Sequence, residues 1–254
     1  MRRRSLVRCL PPLFVLLLSV AAGAESGFLL AYPETFGKVG AATYDDGGQR
    51  IGGADLLIER LDAGRVRMRS ESGQQKGART LATAEFATVG ERLRVLVEES
   101  RSLDEKGQPL GVLTVDHVAR KARCQDSAGG VVSEIDLPEA DRVLNVPMNL
   151  FFLPLVSGEK DSLEFQLFLC RPDARLIDFV AWTGKRVDGR PLEIQYGPDF
   201  GFASSLARQM APKLSFWFDR EAPYPWVAHR LPLYSGGPEV FVVRDDIAST
   251  SLLD

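Results

Sequence analysis

Along most of this chain, apolar and polar residues alternate with a period of two, the spacing of a strand with one buried and one wet face. Val66 and Met68 alternate with Arg65, Arg67 and Arg69, and residues 54–61 and 65–70 predict a hairpin. Its turn is Asp62-Ala63-Gly64, with glycine placed for a left-handed position. After a strand at 79–88 and the turn Val89-Gly90, Leu93, Val95 and Val97 oppose Arg94, Leu96 and Glu98. Asp104-Glu105-Lys106-Gly107 then leads to one long strand over 110–124, bent or bulged near Val118. Ser127-Ala128-Gly129-Gly130 turns it into 131–137. Further strands fall at 39–44, 162–170, 176–183, 190–196, 213–219, 227–233 and 240–243, with 25–37 an irregular lead-in. About a dozen turn-linked strands predict a mainly β fold, a curved antiparallel sheet forming a half-barrel or open barrel.

The pattern breaks once. Pro138, followed by Glu139, Ala140 and Asp141, is a helix start that Asp136 can cap. Pro147 and Pro154 interrupt it, because proline cannot continue the helical ladder. Two short helical pieces result, with the apolar run Met148 to Val156 between them. That run must pack, and the concave side of the sheet is the natural place. Ser204–Met210 predicts a helical turn. No composition break marks a linker, so residues 25–254 are expected to form a single β-rich domain, with at most a pseudo-division near residue 160.

Residues 1–24 have the three parts of a cleaved signal peptide in order: Arg2, Arg3, Arg4 and Arg8, an apolar stretch to Val20, and the small-residue site Ala22-Gly23-Ala24. The apolar stretch is too short for a membrane anchor, since a bilayer core needs about 20 residues. Localisation is therefore expected to be periplasmic or secreted, with no transmembrane span after cleavage. Cleavage removes those four arginines and no acids. That leaves 27 Lys and Arg against 34 Asp and Glu, a formal charge of −7 in place of −3. An acidic surface argues against a nucleic-acid partner. Two cysteines remain, Cys124 and Cys170. In an oxidising compartment they suit a disulfide, which would stabilise by roughly 4 kcal/mol. The alternative is two buried thiols acting as small apolar residues.

Motifs with a defined chemistry are missing. There is no G-x-S-x-G elbow, no phosphate-cradling G-x-x-x-x-G-K-S/T and no H-E-x-x-H. Nothing implies a cofactor or a metal. His117, beside Asp116, reads as a strand histidine, and His229 likewise. The acidic pairs Asp45-Asp46, Glu98-Glu99 and Asp245-Asp246 read as solvated charge. The most specific feature is aromatic: Phe216, Trp217, Phe218, Tyr224 and Trp226 crowd one hairpin, interleaved with Pro223 and Pro225. Trp217 and Phe218 point to opposite faces, so one ring leaves the main core for a groove, a partner or a lid.

Three stretches, Leu137 to Leu155, Leu214 to Asp219 with Pro225-Trp226-Val227, and Val240 to Arg244, loosely resemble a family pattern. They are similar to uncharacterised bacterial periplasmic half-barrel proteins and, distantly, to the lipoprotein-carrier (LolA/LolB-like) fold. The resemblance implies short helices inside a half-barrel and a late Trp-containing hairpin. It transfers no lipid-contacting residue one for one. The expectation is a non-enzymatic exported binding protein holding an apolar or lipid-like ligand against Met148, Phe151, Phe152, Trp217 and Trp226. A cell-envelope interaction protein without a small ligand is the alternative. A hydrolase built around His117 or His229 is a third.

Overall fold

The structure is a computed structural model that describes residues 29–247 apart from 34–35, 63, 74–76, 138–141, 171–174, 186, 200, 202–213 and 234–237. The signal-peptide segment, the helix start at Pro138 and the turn at 204–210 therefore lie outside the described residues, as does Ala63 of the first hairpin turn.

Among the described residues the chain forms fifteen strands and two helical turns. The strands are β1 (Leu29–Ala31), β2 (Gly37–Tyr44), β3 (Arg50–Asp62), β4 (Arg65–Gly73), β5 (Arg79–Val89), β6 (Arg92–Leu103), β7 (Pro109–Asp116), β8 (Lys121–Asp126) and β9 (Val131–Asp136). After the helical turns come β10 (Ser162–Leu169), β11 (Arg175–Thr183), β12 (Leu192–Pro198), β13 (Leu214–Phe218), β14 (Trp226–Pro232) and β15 (Glu239–Arg244). All pair antiparallel in one sheet, ordered β10 through β15, then β2 through β9. The fold class is as the alternation predicts: mainly β, one large open curved sheet around a short helical insert.

The sheet does not close by hydrogen bonds; its two ends overlap. Leu163 and Phe165 of β10 face the main core, while Phe168 packs with Val115, Ala122 and Cys124 of β7 and β8 in a second one. Cys124 and Cys170 are disulfide-bonded there, with Cα atoms 5.5 Å apart, tying β8 to the end of β10.

Several local expectations change. The lead-in contains β1, which pairs with β6 and buries Leu30. The long strand at 110–124 is a hairpin, β7 and β8, because the Ala119 N–H bonds the Asp116 carboxylate at 2.7 Å and Arg120 takes a φ of 56°. His117 is thus a turn residue, not a strand residue. The alternation runs on through this tight turn, which hides it. The helical turns are α1 (Met148–Phe151) and α2 (Leu153–Val156), inside the apolar run instead of flanking it. Pro147 precedes α1, and Pro154 sits in the first turn of α2, where a missing N–H costs nothing.

The helical turns plug one end of the sheet's concave side. Phe152 has no exposed surface; its ring lies 5.4 Å from those of Tyr196 and Phe216. Phe151 meets Phe165 edge-on at 5.0 Å. Offset and edge contacts of this kind add to the area-driven stabilisation of burying such rings.

Candidate binding cavity

The inward positions of the central strands change character along their length. On β4, Val66 and Met68 belong to the main core, and Ser70 and Ser72 line a cavity. On β5, Phe86 and Ala84 are core, and Ala82 and Thr80 line the cavity. On β6, Leu93 and Val95 are core, and Ser100 and Ser102 line the cavity. Large side chains fill one end; small ones leave the other hollow. The hollow holds about 780 Å³, within the range of small-ligand sites.

A bulge makes the switch on β6. Phe86 pairs with Val95 and Glu85 with Val97, leaving Leu96 without a partner. One extra residue moves every later side chain to the other face. Glu98, expected on the wet face, is fully buried. Its carboxylate accepts hydrogen bonds from the backbone N–H groups of Asn145 (2.6 Å) and Val146 (2.5 Å), and its other oxygen lies 2.7 Å from His117 Nε2. The Asn145 side chain in turn bonds the backbone of Phe168 at 2.8 and 3.1 Å. A buried carboxylate is costly unless fully bonded. Here the bonding fastens the segment that carries α1 and α2 to β6 and β10. The reading of Glu98-Glu99 as a solvated pair holds for Glu99, which bonds Arg101 at the surface. It fails for Glu98.

The opposite wall comes from the late hairpin. Phe216, Trp226, His229 and Leu231 line the cavity, with Met148 and Asn149 of α1 and Phe179 and Tyr196 beyond them. Of the five aromatic and methionine positions expected to line a site, Met148 and Trp226 do so. Phe151 and Phe152 lie in the packed core, and Trp217 faces the outer side of the sheet, edge-on to Phe241 at 5.3 Å. The ring that leaves the main core in this hairpin is thus Trp217, and it packs in a small outer cluster with Val227 and Val243.

His229 is the titratable side chain of this wall. Its ring lies 5.2 Å from Phe216 and 5.4 Å from Trp226. Part of it meets the lumen, but the apolar surroundings dominate, and burial pushes its pKa down to about 4. It is a neutral imidazole at pH 7. Burial also pushes the Tyr196 phenol up, so it stays protonated. His117 and His229 sit in separate places: His117 Nε2 lies against the buried Glu98 carboxylate, and His229 lines the cavity. Among the described residues no three His, Cys, Asp or Glu side chains converge as a metal site. Nor is any helix long and apolar enough to cross a membrane.

The small inward residues Ser70, Ser72, Ser100 and Ser102 escaped the sequence reading, which weighed aromatic side chains. Their signal was available on β4: two serines continue the inward series begun by Val66 and Met68. On β6 the bulge erased it.

The fold defines an open, barrel-like antiparallel sheet with a helical plug at one end and a cavity at the other. No family profile matches the chain, and no curated protein matches it. Among solved structures it is similar to a beta-barrel-like protein of the domain of unknown function DUF1849 from Brucella abortus. The identity is 10% over 83% of this chain and 97% of that one, with a TM-score of 0.44. A likeness that distant carries nothing about function.

Proposed function

We propose that the protein is an exported, non-enzymatic binding protein that holds an apolar or lipid-like moiety in the cavity of its open sheet. The cavity of about 780 Å³, walled by Met148, Phe179, Phe216 and Trp226, is the observation that carries this reading. Export to a periplasmic or extracellular compartment is part of the proposal. It is supported by the signal-peptide pattern of residues 1–24 and by the Cys124–Cys170 disulfide, a bond that oxidising compartments favour. The loose likeness to lipoprotein carriers agrees with an acyl chain as the apolar moiety.

The test is native mass spectrometry of the protein purified without detergent. A near-stoichiometric apolar adduct is the expected result. A bare chain that also fails to take up any apolar probe would overturn the reading.

One observation favours a role in contacting an envelope protein. Val131 and Val132 on the edge strand β9 are 56% and 48% exposed, and Leu110, two strands in on β7, is 51% exposed. Exposed apolar side chains on a sheet edge are a common basis for strand-to-strand pairing. Recovery of a defined partner that is lost on Val131→Lys would support that role.

A further inference from the structure

The cavity's charges and hydrogen-bonding groups constrain the head group of the ligand, given the apolar-ligand reading on which this step rests. Among the described residues no lysine or arginine lines the cavity. Its acids are Asp55, Glu71 and Asp126. Asp55 already pairs with Lys38 at 3.1 Å and Glu71 with Arg79 at 3.2 Å, so these two cations are held by carboxylates. Arg50 lies with Asp55 and Glu71 in an adjoining recess, outside the cavity lining, and bonds the Gly52 carbonyl. Asp126 accepts the N–H groups of Ala128 and Gly130 at 2.9 Å each and adds negative charge to the wall. An anionic head group entering here would lose hydration and meet no counter-charge.

The wall does offer neutral hydrogen-bonding groups. The imidazole of His229 has no hydrogen-bond partner among the described residues, and it faces the lumen beside Phe216 and Trp226. A neutral imidazole presents one donor and one acceptor. The indole N–H of Trp226 is also without a partner among the described residues, but it is buried away from the lumen and gives the ligand no donor. Ser70, Ser72, Ser100 and Ser102 add hydroxyls across the cavity. A hydroxyl group can both give and take hydrogen bonds with such a set, and an ester can accept them without carrying a charge; a carboxylate can only accept, and it brings a negative charge with it.

We propose that the cavity selects a neutral amphiphile, an apolar chain ending in hydroxyl or ester groups, and discriminates against the same chain ending in a carboxylate. His229 is the head-group contact, and the apolar chain lies against Met148, Phe179 and Phe216. The selectivity comes from missing counter-charge as much as from contacts made, which is how a site rejects a near-identical competitor.

The experiment titrates the full protein at pH 8 with 1-monodecanoylglycerol and with decanoate, both below their micelle concentrations. Isothermal calorimetry gives the two dissociation constants. The expected result is at least tenfold tighter binding of the glyceride. His229→Leu should weaken the glyceride about tenfold, the worth of one well-made hydrogen bond, and leave decanoate unchanged. Leu110→Lys changes an exposed residue at the cavity's edge and spares the core. It should tighten decanoate several-fold, which keeps the test decisive if His229→Leu misfolds. Equal or tighter binding of decanoate by the unmodified protein would overturn this inference and leave the apolar-ligand reading standing. Binding of neither probe would overturn both.

Discussion

On one face of the same strands, Val66, Met68, Phe86 and Val95 fill the interior, while Ser70, Ser72, Thr80 and Ser100 leave it hollow. The β4–β5 ladder runs unbroken across the two ends, so strand pairing alone does not separate them there. Side-chain volume does. At the packed end a removed ring leaves a void that close-packed neighbours cannot fill. At the hollow end the space is already there, and what matters is which polar groups face it. One sheet thus carries a stability region and a candidate binding region, divided at the level where Glu98 fastens the inner segment.

The largest effect should come from Phe152→Ala at the packed end, a loss of about 3–5 kcal/mol in equilibrium urea unfolding. A loss under about 1 kcal/mol would erase the distinction between the ends. At the boundary, Glu98→Gln keeps the shape but sets an amide N–H₂ among donors, and should cost about 1–3 kcal/mol. Glu99→Gln, one residue along on the wet face, should stay within about 0.5 kcal/mol. Thermal unfolding of the pair measures the contrast that the bulge creates, and equal shifts would contradict the burial of Glu98.

The pH response isolates His229. Its folded pKa, about 4, lies below the ordinary 6.5, so folding favours the neutral form. That contribution is complete above about pH 6.5 and is lost as pH falls towards 4. Contact with the lumen keeps the slope below the ideal of about 1.4 kcal/mol per pH unit. Between pH 7 and pH 5 the unmodified protein should lose about 1–2 kcal/mol more than His229→Leu in paired denaturant titrations. Identical losses would place the imidazole in water. A small change in stability should also follow Ser70→Leu, which fills the hollow end at a cost under about 1 kcal/mol, since no packed neighbour must move. The same variant should abolish uptake of a fluorescent apolar probe, and unchanged uptake would put the binding region elsewhere.

Much of the architecture was legible because strand alternation is a local property. Val66 and Met68 against Arg65, Arg67 and Arg69 fixed which face of β4 is buried, and the structure agrees. The hairpin β7–β8 was not legible, since a short turn made by Asp116 and Arg120 interrupts neither the apolar density nor the period. Proline misled at 154, because a first-turn proline and a helix-breaking proline look alike without knowing where the helix begins. For the cavity, Met148 and Trp226 were legible as large apolar residues without an evident partner. His229 was read as an ordinary strand histidine, because its neighbours Phe216 and Trp226 come together only through the β13–β14 register.

By itself the sequence determined the fold class, the one-sided burial of the strands, and the apolar insert that has to go inside them. Those follow from side-chain period and from proline and glycine chemistry, which act over a few residues. Only the tertiary structure decided that Glu98 turns inward, that Trp217 faces out while Trp226 faces the cavity, and that the ends of the sheet overlap at Cys124 and Cys170. Each depends on a one-residue bulge or on contacts between strands far apart in the chain. A single added residue inverts every later side chain, and nothing in the local pattern of Val95-Leu96-Val97 announces it.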